Sequence, residues 1–428
     1  MLLLNRIRSW WQNFDENYKR VALTILFSIT VAFLAYAVYY VFFKPAPPAR
    51  TIGLITEIPI TSLPGADIRD ILEQKGIIEE PAAKPTLPAS KIKIDTVAQG
   101  KKTLAKPQVY AGAQSPNINK NGSIRYYNKS DGKFYTLDSQ GNITALSQLS
   151  FPQVQNVVWS PQEEKAILEF PDGSNIFYDF EKQKQHTLPK EGEGFNFATS
   201  GNQIGYKFIT ENPDENWLIV SDPNGDNPVA IEHIGKTNPQ DILINWSPDG
   251  SRVALFRNSA GLDSEEILFV GQNKENFKSL SVAGRGFEGL WSRQGDKLLY
   301  NIYSPQTGYR PELWIANAKD NDTGEQNKNL SVSTWASKCA FTSDNINVYC
   351  AVPLYLKQGA GIYPDLMFGA PDVIYKINAK TGFKQQIAVP TNYLGISLYA
   401  AKKLMLSPDE KILYMADSNN GIYKIQLK

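Results

Sequence analysis

Beyond about the first hundred residues, apolar and polar positions alternate in short runs separated by clusters of Asp, Asn, Gly, Pro and Ser. A period of two with that punctuation predicts antiparallel strands joined by tight turns. Five stretches carry one phrase, an apolar residue, a polar turn and a short apolar run, about 40 to 65 residues apart. The clear copies are Trp159-Ser-Pro-Gln before Ala166-Ile-Leu, Trp246-Ser-Pro-Asp-Gly before Val253-Ala-Leu-Phe, and Trp291-Ser-Arg-Gln-Gly before Leu298-Leu-Tyr. Phe341-Thr-Ser-Asp and Leu406-Ser-Pro-Asp are weaker copies. Pro presets φ and Gly or Asn supplies positive φ, so each copy reads as a hairpin joining two strands. Second hairpins fill the intervals, among them Phe134-Tyr-Thr-Leu-Asp-Ser-Gln-Gly-Asn-Ile, Trp217-Leu-Ile-Val-Ser-Asp-Pro-Asn-Gly-Asp and Val373-Ile-Tyr-Lys-Ile-Asn-Ala-Lys-Thr-Gly.

Each repeat is therefore a four-stranded unit, a to d, and a period in the forties is the mark of a β-propeller. Units begin near residues 108, 153, 194, 241, 287, 335 and 396, two of them with degenerate first hairpins around Ser115-Pro-Asn and Phe197-Ala-Thr-Ser-Gly-Asn. The expected fold is all-β, a seven-bladed propeller over 90–428, with six or eight blades as the nearest alternatives. The last unit reaches Lys428 after strand c and needs a fourth strand from elsewhere. Ser90 to Val97 alternates apolar and polar residues just before the first unit, and is expected to close the ring and remove a sheet edge.

The phrase resembles the TolB-like, or WD40-like (PD40), propeller repeat, with its Trp-Ser-Pro-Asp-Gly turn and a later Asp-Gly-Asn hairpin. Trp246-Ser-Pro-Asp-Gly-Ser-Arg-Val-Ala-Leu, Ile219-Val-Ser-Asp-Pro-Asn-Gly-Asp-Asn-Pro and Arg310-Pro-Glu-Leu-Trp-Ile-Ala-Asn carry the resemblance, which spans 108–428. It implies a cell-envelope interaction platform. Similar propellers also sit beside a hydrolase domain in membrane-anchored dipeptidyl peptidases. This chain departs from TolB itself in its apolar N-terminal run and in lacking room for an N-terminal α/β domain.

Val21 to Phe43 is an uninterrupted apolar run long enough to span ~30 Å of hydrocarbon as a helix. Arg6, Arg8, Lys19 and Arg20 precede it, so the positive-inside bias leaves 1–20 in the cytoplasm and the rest outside, in the periplasm or extracellular space. The competing reading is a cleaved signal peptide, since Ala35-Tyr36-Ala37 has the small-residue pattern of a cleavage site. Residues 44–89 are rich in Pro, Ala, Lys and Thr and read as an extended stalk. Within it, Ile68, Ile71 and Leu72 share one face of a short amphipathic segment.

Charge narrows the partners. With 44 Lys and Arg against 43 Asp and Glu, nothing draws the chain to nucleic acid. Cys339 and Cys350 flank the turn at Asp344-Asn345 symmetrically, which sets them opposite each other in a hairpin. They bond if the pair is a non-hydrogen-bonded one in an oxidising compartment; otherwise they are two buried thiols.

No constellation demands catalysis, a cofactor or a metal. His186 and His233 are the chain's only histidines, too few for a His-rich metal site, and no Gly-x-Ser-x-Gly elbow occurs. Gly284-Arg-Gly-Phe-Glu-Gly289 matches the dinucleotide fingerprint by letter but links strands, so it reads as a blade-to-blade loop. Asp222, Asn224 and Asp226 have calcium-loop spacing, yet His233 stands where a bidentate Glu is needed. Trp159, Trp246 and Trp291 recur at one position per blade and are read as packing between blades.

The least repetitive segment follows strand b of the sixth unit, from Val352 to Pro371. Long loops without secondary structure are usually functional, and Tyr355, Tyr363, Leu366, Met367 and Phe368 are interface-core residue types. Tyr303, Tyr309 and Arg310 stand in the matching connection of the fifth unit. The alternative is a plug, with the loop folded onto the channel mouth or a neighbouring blade. Connections three and four are acidic, with Glu211, Asp214, Glu215, Asp263, Glu265 and Glu266. The function expected is a membrane-anchored extracytoplasmic scaffold binding a protein or envelope polymer. Two alternatives are a hydrolase or lyase acting on peptide or glycan in the channel, and a sensor reporting a channel ligand through the helix.

Overall fold

The computed structural model describes 93–428 except 274, 276, 368 and 398, together with a few positions between 27 and 36. Among these, Phe27, Ser28, Thr30, Val31, Phe33, Leu34 and Tyr36 are helical. No helix among the described residues is long and apolar enough to cross a membrane. Most of the expected span at 21–43, the stalk and its amphipathic segment lie outside the described residues.

Seven antiparallel sheets, each built around consecutive strands, form the blades. Their first strands begin at Ala113, Asn156, Gly192, Ile242, Arg285, Cys339 and Ala401, within about five residues of the sequence-based starts. Strands a of most neighbouring blades touch one another around a central channel, and that of blade 5 meets the turn before strand a of blade 6. The a–b and c–d turns occupy one face, and the b–c and d–a connections the other. Apolar cores lie between adjacent sheets: Leu255, Ile267 and Phe269 of blade 4, for example, pack on Phe287, Trp291 and Tyr300 of blade 5.

The repeated turn works by side-chain chemistry. Ser247, Ser292 and Ser407 donate to Asp249, Asp296 and Asp409, and Thr342 donates to Asp344. The residue closing each turn takes positive φ, at Gly250, Gly295, Asn345 and Glu410. Each Trp then reaches to a blade before its own. Trp159 Nε1 donates to Ser115 O at 2.8 Å, Trp246 to Asn196 O at 3.2 Å and Trp291 to Asn245 O at 3.1 Å. The blade joints are thus stitched by hydrogen bonds as well as by packing.

Three details differ from expectation. The first turn of blade 1 is at Asn119 to Gly122, and Ser115-Pro-Asn lies inside strand a (Ala113–Ile118). Gly284 to Gly289 largely belongs to strand a of blade 5 (Arg285–Trp291) rather than to a loop. Ring closure falls to Lys106–Val109, antiparallel to Ile422–Gln426, and not to Ser90–Val97. Pro107 is tolerated there because this strand is the sheet edge and needs fewer N–H donors. Just before it, Lys102–Leu104 adds a parallel fifth strand to blade 6, on Val389 to Thr391. Asp95 and Val97 make single bridges, to Thr103 and Gln426, while 90–92 lie outside the described residues.

Cys339 and Cys350 face each other in the a–b hairpin of blade 6 with Cα atoms 4.1 Å apart, and their sulfurs are joined. Replacing both by Ala opens a loop of sequence separation 11. Loop-closure entropy predicts a loss of about 2–3 kcal/mol, read as a lower denaturation midpoint in the absence of reductant.

Candidate functional site

The connection of blade 6 between strand b (Asn347–Pro353) and strand c (Asp372–Asn378) folds as a small body of its own. A single 3-10 turn, Pro364–Met367, tucks Met367 against Ala360 and Ala370, with Trp335 and Leu356 packed beside them. Blade 5 holds this body by hydrogen bonds to the loop backbone. Gly359 N donates to Gly308 O at 2.9 Å, Gly361 N to Tyr309 O at 2.7 Å, and Arg310 Nε to Leu356 O at 3.0 Å. Tyr303 and Tyr309 meet edge-on, with centroids 6.4 Å apart.

Six of the eight sequence-predicted residues fall into two sets, and Leu366 lies in the 3-10 turn. Tyr303, Tyr309, Arg310 and Met367 hold the loop, while Tyr355 and Tyr363 are presented to solvent at 57% and 63% exposure. Phe368 lies outside the described residues. Leu354 and Ile362, which sequence reasoning passed over, are exposed beside the two tyrosines in the chain. Their apolar character was the available signal. Gly361 has no room for a side chain, because a Cβ would stand 2.6 Å from Tyr303 Cβ. Gly361→Val is expected to lift the loop from blade 5, seen as roughly tenfold faster proteolytic cleavage within 354–371 at an unchanged global melting point.

More apolar surface lies on the same face. The connection from blade 6 to blade 7 exposes Tyr393, Leu394 and Ile396, and the one from blade 7 to blade 1 exposes Tyr110. Tyr399 and Tyr423 pack beneath, with centroids 4.5 Å apart. Burial, together with the charge of Asp417, pushes the Tyr423 phenol up to about 12. A run of exposed apolar side chains in one sector is what a binding surface presents. Across the ring, Glu211, Asp214, Glu215 and Asp263 are exposed. Glu265 departs from the acidic rim: it begins strand c of blade 4, is buried, and accepts from Phe287 N at 3.3 Å.

Beside the loop, a groove of about 500 Å³ runs between blades 5 and 6, lined by Arg310, Val352, Leu354, Tyr355, Tyr375 and Lys384 among others, with no carboxylate among the described residues that line it. At the channel mouth a smaller cavity of about 240 Å³ has Pro364 and Met367 on its wall with Glu288, Trp335, Ser337 and Lys338. The loop thus covers part of the mouth while its tyrosines face outward. Burial raises the Glu288 carboxyl above the usual carboxylate range, against hydrogen bonds from the Ser337 hydroxyl and amide.

His186 and His233 are exposed on strands d of blades 2 and 3, His233 lying against Trp217. Asp222, Asn224 and Asp226 form a c–d turn, where Asn227 donates to Asp222 and Asn224 to Asp226. Among the described residues no His, Cys, Asp or Glu side chains gather in a group of three that could hold a metal ion.

No protein-family profile and no curated protein matches this chain. Solved structures do. An oligogalacturonate lyase in complex with manganese matches at 13% identity and TM-score 0.51, over 75% of this chain and 90% of that one. TolB from Acinetobacter baumannii matches at 13% identity and TM-score 0.41, over 62% of each chain. The tricorn protease matches at 12% identity and TM-score 0.48 over 76% of this chain, which spans 34% of the protease chain. At such identities the likeness is one of fold, the β-propeller.

Proposed function

We propose that this chain is a membrane-tethered scaffold whose propeller binds another envelope protein or polymer outside the cytoplasmic membrane. The apolar run at 21–43 is the anchor, the Pro-rich stalk holds the propeller off the bilayer, and the connections of blades 6 and 7 make the contact. One observation carries this reading. Leu354, Tyr355, Ile362 and Tyr363 stand exposed on a loop whose backbone is pinned to blade 5. Such preorganised aromatics lose little freedom on binding and make efficient anchors. In-cell crosslinking of the full-length chain, followed by mass spectrometry, tests it beside a variant lacking 355–368. Crosslinks to one envelope component that vanish in the variant support the scaffold. Crosslinks from the loop to its own blades alone sink it.

The second reading is a hydrolase or lyase working in the channel on peptide or glycan. Glu288, with its raised proton affinity, is the observation that favours it. Glycoside chemistry needs a second carboxyl about 5 to 9 Å away, and of the described residues lining the mouth cavity Glu288 alone carries one.

A further inference from the structure

Deeper in the channel, a cavity of about 510 Å³ is walled by strands a of blades 1, 5, 6 and 7. Among the described residues its lining carries three cationic side chains, Arg293, Lys402 and Lys403, and no carboxylate. The remainder is apolar, with Leu290, Phe341 and Leu404 prominent, apart from Asn117 and Ser337. We propose that this cavity is a binding site for one compact anion bearing a carboxylate or phosphate group, held between Lys403, Arg293 and the amide of Asn117.

Of the three cations Lys403 is the least exposed. Its Nζ donates to Pro116 O at 3.2 Å, and among the described residues neither Lys403 nor Arg293 pairs with a carboxylate. Burial and the neighbouring Arg125 guanidinium both push its ammonium below the ordinary value. An ammonium so placed is costly to the fold without a counter-charge. Arg125 is itself committed. It donates to Glu163 O, Ser160 O and Asn117 Oδ1 and contacts Glu164 at 3.4 Å, so its own carboxylate leaves Lys403 without one.

Asn117 adds specificity. With its Oδ1 accepting from Arg125 at 2.9 Å, the amide orientation is set and the Nδ2 group remains to donate. Arg293 stands exposed in the a–b turn of blade 5, its Nε donating to Phe341 O at 3.4 Å, and its terminal nitrogens remain available. Lys402 donates to Asn420 Oδ1 at 3.3 Å and its charge acts on the Asp417 carboxyl, so the site is not built on it. A lining of donors over apolar, low-dielectric walls focuses positive potential and favours an anion over a neutral ligand. The cavity volume suits one small polycarboxylate or phosphorylated molecule. This inference stands apart from the contact surface of blades 6 and 7.

Detergent-solubilised full-length protein titrated with inorganic phosphate and with citrate, followed by thermal melting and calorimetry against sodium chloride of equal ionic strength, tests the site. At least one of the two anions is expected to raise the melting temperature at millimolar concentration. Lys403→Met should weaken that anion about tenfold or more while leaving the ligand-free melting temperature equal or higher, because an uncompensated cation is removed. Arg293→Gln, on an exposed turn, should weaken it about threefold in an unaltered fold, and carries the test alone should Lys403→Met misfold. Preference for phosphate or citrate identifies which anionic group the site takes. Absence of a shift with either anion, a shift matched by sodium chloride, or equal affinity in every folded variant overturns the proposal.

Discussion

Exchanging Asp372 for Ala is expected to cost about 3–5 kcal/mol of unfolding free energy, measured by denaturant titration of the full chain. The Asp372 side chain is fully buried at the head of strand c in blade 6. One oxygen lies 2.7 Å from Lys338 Nζ and the other accepts from Ala401 N at 2.6 Å. A single carboxylate thus ties the turn before strand a of blade 6 (Ala336–Lys338) to the start of strand a in blade 7 (Ala401–Leu406). Without it, an ammonium over the Trp335 ring and a backbone N–H both lose their partner in a site that water enters poorly. Asp372→Asn keeps an acceptor for Ala401 and should cost less.

Lys338→Met supplies the matching sign. Burial already raises Asp372 above the ordinary carboxylate value, against the pull of Lys338 and the Ala401 amide. Removing the ammonium raises it further. A carboxyl whose folded pKa is raised contributes stability that is present at low pH and lost as pH rises through that value. The variant should therefore stand closer to the parent at pH 5 than at pH 8. A cost below about 1 kcal/mol for Asp372→Ala would mean that water solvates the pair.

How much of this was readable in the residues depends on the range of the forces involved. The turns of Trp246-Ser-Pro-Asp-Gly and Trp291-Ser-Arg-Gln-Gly are local chemistry, a hydroxyl bonded to a nearby Asp and a glycine at positive φ, so their spacing sets out the blades. Lys106–Val109 escaped notice as the closing strand because four residues with a proline carry almost no period. Its place is decided by the vacant edge of Ile422–Gln426, about three hundred residues away. The loop was visible as a lapse in the repeat. Its division into residues that hold and residues that face outward was not, since Tyr303 and Gly361 meet only once two blades are packed. The cluster of Lys403, Arg125, Asn117 and Arg293 was hidden for the same reason, because strand spacing within a blade says nothing about what faces it across a closed ring.

If the propeller is the proposed scaffold, replacing Tyr355 and Tyr363 together by Ala is expected to abolish capture of its partner, with each ring contributing about 2 kcal/mol and the pair about three orders of magnitude in Kd. Both rings are exposed in the free chain, so truncation removes contact surface without opening a cavity, and the melting temperature should not move. Tyr303→Ala provides the contrast. That half-buried ring supports Gly361 and faces Tyr309, so its loss should loosen the loop and weaken capture only through greater loop freedom. Binding in that variant should be partly restored when a second contact pins the loop again, whereas no such rescue is open to the double variant. The order of losses, complete for the two presented tyrosines and partial for the supporting one, separates a preorganised contact surface from a loop that merely seals the channel mouth. A plug would reverse it, because Tyr303 and the buried Met367 would then matter most and the outward rings least.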